Sequence, residues 1–200
     1  MPKAVVWDFG NVIVRWDPRT LYSKIFPDPV ERDRFLRDVC TMAWHTAHDR
    51  GVSFADNRIP LIETHPEHAE AILAWETRWP EMFSGAIAET EAAIEDLHAA
   101  GVPQFGLSNV SMEVIDQVRS LSPAFGRLQD VVASGDVGLA KPDPAIFALA
   151  SARFGYAPSE LLFVDDGAHN TAAAAALGWD VHHFTDPAQI RPALEARGLL

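Results

Sequence analysis

Three short strand-like runs in this chain of 200 residues, two of them wholly apolar, stop on groups that can do chemistry. Ala4–Trp7 (AVVW) runs into Asp8, residues 102–107 run into Ser108-Asn109, and residues 161–164 (LLFV) run into the Asp165-Asp166 pair. A fourth group, Lys141, lies in the loop sequence GLAKPDP. A carboxylate can attack an electrophile, and neighbouring carboxylates can hold a hard divalent cation. A hydroxyl and a backbone N–H can grip anionic oxygens, and a lysine can neutralise them. Together these are the parts of a phosphoryl-transfer site.

Such parts work only if the fold brings them together. Apolar runs of this length, bounded by turn residues, read as buried strands. In an open parallel sheet, ligands bind beyond the carboxyl ends of the strands, so three strand ends deliver their residues to one edge. The rest of the pattern agrees. Helices are predicted at 86–100, closed by Gly101, at 112–121, at 143–154 with Pro144 in the first turn, at 168–177 closed by Gly178, and at 187–197. Further strands are predicted at 130–133 and 179–183. Strands alternating with helices imply an α/β fold with a parallel, doubly wound sheet. The alanine run 172–176 predicts a helix pressed close to that sheet.

Residues 18–83 change character. Their patterning is helical, interrupted by Pro27, Pro29, Pro60, Pro66 and Pro80, and no strand is evident. Trp16, Trp44, Trp75 and Trp79 fall in or beside this stretch and anchor a compact helical subdomain. The division expected is an α/β core from 1–14 and 86–200, with a helical insertion at 15–85.

Composition limits the partners. Hydrophobic residues make up 48% and charged residues 22%, ordinary values for a globular chain. No apolar run is long enough to span a bilayer, and no export leader is evident at the N-terminus. A single cysteine, Cys40, forbids an intramolecular disulfide, fits a reducing cytoplasmic location, and is expected buried on a helix. Sixteen basic against 28 acidic residues give a net charge of −12, which excludes nucleic acid and anionic membranes as natural partners. The same acidity opposes an anionic substrate. A bound dication, a lysine and backbone N–H groups must reverse the sign locally.

The motifs, in order, resemble those of the haloacid-dehalogenase-like (HAD) hydrolase superfamily: DFGNV from Asp8, LSN at 107–109, Lys141 in AKPDP, and VDDGAHN at 164–170. The resemblance implies a Rossmann-like core with an inserted helical cap. It implies Asp8 as nucleophile and metal ligand, with the Gly10 carbonyl as a second ligand. Asp166 would be the principal ligand of the last motif, with Asp165 beside it, direct or through water, and the metal Mg²⁺. Ser108 and the Asn109 N–H would bind phosphate oxygens, Lys141 would neutralise phosphate and Asp8, and Asn170 would stand behind the ligands. The activity implied is hydrolysis of a small phosphorylated metabolite, sugar-phosphate-like, through an aspartyl-phosphate, in a monomer or homodimer.

One departure stands out. Most phosphatases of this family carry a second Asp two residues after the nucleophile, where this chain has Gly10. Loss of a general acid or base costs roughly two to four orders of magnitude in rate. The D-x-G-N-V pattern resembles a branch that includes bacterial α-glucose 1-phosphate phosphatases, and an anomeric leaving group needs less protonation. Two expectations follow: a preference for sugar 1-phosphates, and proton transfer lent by Asp17, His45 or His48. The alternatives are a 2-haloacid dehalogenase, in which Asp8 attacks carbon, and a catalytically weakened phosphate-binding protein. His65 and His68 read as packing or surface residues, His182-His183 as a solvent-facing strand end, His169 as a helix-start residue, and Trp75 with Trp79 as a core or hinge stripe.

Overall fold

Side chains alternate across a strand, and the first strand buries both of its faces. In the computed structural model, which describes residues 1–200, Val5 and Trp7 enter one apolar core while Ala4 and Val6 enter another. A strand covered on both sides belongs in the middle of a parallel sheet. Seven strands form: β1 Ala4–Trp7, β2 Val14–Trp16, β3 Phe83–Ala86, β4 Gln104–Ser108, β5 Asp130–Ala133, β6 Leu161–Asp165 and β7 Asp180–His183. Five of them make the parallel sheet β5-β4-β1-β6-β7, with Val5 opposite Gln104 on one side and Leu162 on the other. These are the five strands expected from the sequence.

Eleven helices accompany them. Within the insertion lie α1 Pro18–Tyr22, α2 Pro29–Asp38, α3 Met42–Asp49, α4 Phe54–Thr64 and α5 Ala69–Thr77. The core carries α6 Ala88–Ala99, α7 Ile115–Arg119, α8 Ser134–Val137, α9 Pro144–Phe154, α10 Ala168–Ala176 and α11 Ile190–Glu195. Ile94 and Leu97 of α6, Val118 of α7 and Leu194 of α11 pack into the core on the Trp7 face. Ile146, Phe147 and Phe154 of α9 and Ala174 of α10 pack on the Val6 face. The sheet is thus covered on both sides, a doubly wound, Rossmann-like arrangement.

The prolines of the insertion mostly begin helices. Pro18 and Pro29 occupy the first turns of α1 and α2, and the preceding Asp17 and Asp28 cap them by accepting from the N–H groups of Arg19 and Val30. Trp75, Tyr22, Phe35 and Ile72 fill the centre of the insertion, and the Tyr22 hydroxyl donates to the Ala71 carbonyl at 2.9 Å. This packing is continuous with the Trp7 face of the sheet.

Five local expectations need correction. The antiparallel pair β2–β3, with Trp16 opposite Phe83, frames the insertion and was not expected. Three and four residues are too few for a period-2 pattern to register. Because β3 takes residues up to Ala86, α6 starts later than predicted, and the helix expected at 112–121 contracts to α7. Of the alanine run, only Ala174 is fully buried, and α10 meets the sheet through Asn170, Thr171 and Ala174. Cys40 is buried as expected but follows α2 rather than lying on it.

A close backbone approach ties the insertion to the core. A Cβ on Gly135 of α8 would stand 2.8 Å from the Val110 carbonyl and 3.0 Å from the Met112 nitrogen. On its other side, Gly51, just after α3 and at φ +94°, leaves room for only 3.3 Å between its own would-be Cβ and the Gly135 carbonyl. Gly135→Ala is therefore expected to cost about 1–3 kcal/mol through forced backbone displacement. In a thermal melt that is a fall in Tm of roughly 2–12 °C for a chain of this size.

Candidate active site

The ends of β1, β4 and β6 and the loop before α9 converge as the sheet order requires. Asp8 follows β1, its backbone N–H held by the Val164 carbonyl at 2.9 Å. Its side chain is buried, and three donors meet on one oxygen: Phe9 N at 2.7 Å, Ser108 Oγ at 2.7 Å and Lys141 Nζ at 2.9 Å all approach Oδ1. Oδ2 accepts none of them. One oxygen of Asp8 is thus fixed and the other is left free to react.

Lys141 is buried and fully engaged. Its ammonium contacts Asp8 Oδ1, donates to Asp165 Oδ2 at 2.6 Å and to the Leu107 carbonyl at 3.0 Å, which uses its three protons. The loop is locked by Asn109, whose Oδ1 accepts from Lys141 N at 2.8 Å while its Nδ2 donates to the Lys141 carbonyl at 2.9 Å. Asp165, fully buried at the end of β6, also accepts from Gly167 N at 2.7 Å and from Asn170 Nδ2 at 3.0 Å. Asp166 is exposed by comparison, beside Asn11. Asp8, Asp165 and Asp166 each offer an oxygen within 4.8 Å of the others.

The charges set the titration behaviour. Burial, reinforced by Asp165 and opposed by Lys141, pushes Asp8 up to about 7. Asp165 would also rise on burial, but the Lys141 ammonium with Asn170 and the Gly167 N–H outweighs that and holds it low. Burial works against the Lys141 charge as well, yet Asp8 and Asp165 overcome it and raise its value. Asp166, although more open to solvent, is raised by partial desolvation and by the charge of Asp165.

A cavity of about 230 Å³ opens over these groups. Asp8, Gly10, Asn11, Ser108, Asn109, Lys141, Asp166 and Asn170 line its floor side of the sequence motifs, and Trp16, Met42, His45, Asp49, Trp79 and Phe83 come from the insertion and its framing strands. Every site residue expected from the sequence is therefore at this cavity or, as with Asp165, bonded to residues that line it. Of the three expected proton donors, only His45 reaches the cavity. Asp17 caps α1 and pairs with Arg19. His48 is buried against Phe54 with Asn57 on its Nε2. Trp75 is a core residue, whereas Trp79 lines the cavity. His65 and His68 border a separate hollow on the insertion. His183 is exposed, as expected, but its Nε2 lies 2.9 Å from the Asp166 carbonyl.

Among the polar lining residues, two were given no role by the sequence. Asn11 adopts a left-handed φ of +57° and accepts from Trp16 N at 3.0 Å, bending the chain away after the nucleophile. Asp49, one turn after His45 on α3, is buried at the cavity wall. Its signal was faint: an acid four residues beyond a histidine, in a stretch with no motif.

The donor set suits a hard dication. Three carboxylates, Asp8, Asp165 and Asp166, cluster about a single ammonium, so the site is electrically incomplete without added positive charge. The Oδ1 of Asn170 is buried and has no partner, an acceptor ready for a metal-bound water. All-oxygen donors of this kind match Mg²⁺. Gly10 lines the same cavity, and a Cβ there would meet nothing within 4 Å. Its missing side chain is an omission, not a steric necessity.

The family profile described as haloacid dehalogenase-like hydrolase matches residues 2–178. The chain belongs to the haloacid dehalogenase-like hydrolases. Within this family it is 34% identical over 94 residues to an (S)-2-haloacid dehalogenase of Pseudomonas putida, a match that covers 47% of this chain and only 41% of that relative. It is 23% identical over 188 residues to the sesquiterpene phosphatase astK of Aspergillus oryzae, covering 92% of this chain and 90% of the relative. In fold it is similar to a HAD family enzyme from Bacteroides thetaiotaomicron solved with magnesium and inorganic phosphate, with TM-score 0.64, 20% identity, and 91% and 93% of the two chains covered. The HAD-like chain here has no helix long and apolar enough to cross a membrane.

Proposed function

We propose that this hydrolase cleaves small, sugar-phosphate-like phosphomonoesters with Mg²⁺ through an aspartyl-phosphate on Asp8. The observation that carries the reading is the division of labour on one carboxylate: Oδ1 of Asp8 is held by three donors while Oδ2 faces the cavity without one. Asp8, Asp165 and Asp166, with the Gly10 carbonyl, would hold the metal, which supplies charge neutralisation at the phosphoryl oxygens. Ser108 and the Asn109 N–H bind phosphate oxygens on the floor. Asp8 Oδ2 attacks phosphorus in line as the alcohol leaves, and water then cleaves the acyl-phosphate. Lys141 offsets the negative charge that gathers at the floor as the phosphate arrives. The organic part of the substrate is held against Trp16, Trp79, Phe83 and Met42, with no nucleic acid or membrane as partner.

The likeness to the Pseudomonas putida enzyme supports a second reading, attack by Asp8 on the carbon of a 2-haloacid. The carboxylate cluster argues against it, since carbon attack with halide departure calls for no dication to offset three neighbouring acids. The test is a panel of phosphomonoesters with and without Mg²⁺, beside chloride release from 2-chloropropionate. Phosphate release is expected, falling at least about 10²-fold when EDTA strips the metal, because the transition-state charge then goes unbalanced. Chloride release without phosphate release would reverse the ranking.

A further inference from the structure

Resting on that phosphatase reading, we infer that Asp49 of the insertion is the general acid and base of the reaction, taking the role left vacant at Gly10. Gly10 carries no side chain, so the core offers no carboxylic acid two residues after the nucleophile, and the Ser108 hydroxyl and Lys141 ammonium are both engaged on Asp8 Oδ1. The three core carboxylates are committed to the cation cluster or to Lys141. Among the remaining residues lining the cavity, Asp49 is the one carboxyl group. It has no hydrogen bond or ion pair to Asp8, Asp165 or Asp166, so its proton is free for chemistry.

Its placement is rigid. Asp49 ends α3, and the next turn is fastened to the core at two points: the Gly51–Gly135 backbone approach, and the Phe54 N–H donating to Glu113 Oε2 at 2.7 Å. Around it stand Asp8 and Lys141 from the core and His45 from its own helix. Burial raises Asp49 to about 7, with the charge of Asp8 adding to the rise and Lys141 opposing it. A carboxyl in that range holds a proton near neutrality and can give it up, which suits both halves of the reaction. His45 does not compete. Its Nε2 is 3.6 Å from Asp49 Oδ2, too far for a hydrogen bond. Burial, with His48 adding to it, drops its imidazole to about 3, so it is a neutral neighbour stacked on Trp16.

The steps balance. As Asp8 Oδ2 bonds to phosphorus and the ester P–O bond breaks, the proton of Asp49 passes to the departing alcohol oxygen. In the second half the Asp49 carboxylate takes a proton from water as that water's oxygen bonds to phosphorus and the Asp8–phosphorus bond breaks. Phosphate leaves, and Asp49 is protonated again. With an acid available, the chain does not need the activated leaving groups that Gly10 alone demands.

The experiment compares an alkyl phosphate with p-nitrophenyl phosphate on the Mg²⁺-loaded enzyme, as wild type and Asp49→Asn. Nitrophenolate departs without a proton, whereas an alkoxide does not. Asp49→Asn is expected to lower kcat/KM for the alkyl ester about 10²–10⁴-fold. With the nitrophenyl ester it is expected to release one equivalent in a burst before slow turnover, because water then attacks unassisted. Adding Gly10→Asp to that variant, into space where a Cβ meets nothing, is expected to restore alkyl-ester turnover at least about tenfold. Equal losses on both esters with no burst, or no loss on either, would overturn the assignment. Should Asp49→Asn not fold, the wild type decides: a leaving-group dependence as steep as that of an enzyme without an acid overturns the assignment, and a shallow one supports it. Wild-type enzyme that releases phosphate from neither ester would sink the phosphatase reading itself.

Discussion

Asp8→Asn is expected to lose activity by at least about 10³-fold while the metal-free protein becomes as stable as wild type or more so. The activity loss follows from chemistry: an amide oxygen is a poor nucleophile and forms no acyl-phosphate that water can open. The stability gain follows from the electrostatics around Oδ1. Two buried carboxylates, Asp8 and Asp165, share one ammonium, and burial together with Asp165 has driven Asp8 up to about 7. A carboxyl whose value in the folded state lies above its ordinary one binds its proton more tightly folded than unfolded. Its contribution therefore falls as pH rises from the ordinary carboxylate value towards about 7. Asparagine has no such titration and can still accept from Ser108 and Phe9. In EDTA, the Tm advantage of Asp8→Asn over wild type should grow between pH 5 and pH 7.5. A variant that was dead through misfolding would instead lose Tm at every pH. Phosphate release and melting curves on the same preparations separate the two outcomes.

The parts of this site that announced themselves were those fixed by backbone rules. Asp8 and Asp165 end fully apolar runs and Ser108 ends a mixed one that includes Gln104, and a buried parallel strand has to deposit its last residues at the ligand edge. Lys141 carried no such signal by its own type and was legible only through the order of the motifs around it. The parts that stayed hidden depend on packing between distant segments. Asp49 reaches the cavity because α3 docks on α8 through two glycines 84 positions apart in sequence, and no local period encodes such a docking. The pair β2–β3 is of the same kind: Trp16 and Phe83 are opposite each other only once the insertion between them has folded. His45 illustrates the middle case. Its type qualified it for proton transfer, yet burial among Trp16, Trp75 and Trp79 removes its charge and leaves the carboxyl one turn later as the better donor.

Lys141→Met should be the most destabilising single change at the site. The substitution keeps the length of the aliphatic stem and removes one ammonium that serves Asp8, Asp165 and the Leu107 carbonyl together. Removing one partner of a buried ion pair typically costs about 3–5 kcal/mol because the other charge is left uncompensated, or roughly 6–20 °C in Tm for a chain of this size. Here two carboxylates are abandoned at once, and they will respond by taking up protons. The destabilisation should accordingly be larger at pH 7.5 than at pH 5, whereas a simple loss of packing would be independent of pH. Lys141→Arg should not rescue it, since a planar fork cannot address three acceptors grouped around a point. Lys141 is also the sole lysine or arginine among the residues lining the cavity, in a chain of net charge −12. On the proposed reading, anion binding at this cavity would hang on this one side chain, the phosphate-binding N–H and hydroxyl groups and the cation held beside it. Inorganic phosphate, titrated calorimetrically in Mg²⁺ below pH 6 where the variant retains its fold, should bind Lys141→Met at least about tenfold more weakly than wild type. Undiminished binding would mean that the metal alone overcomes the field of the protein.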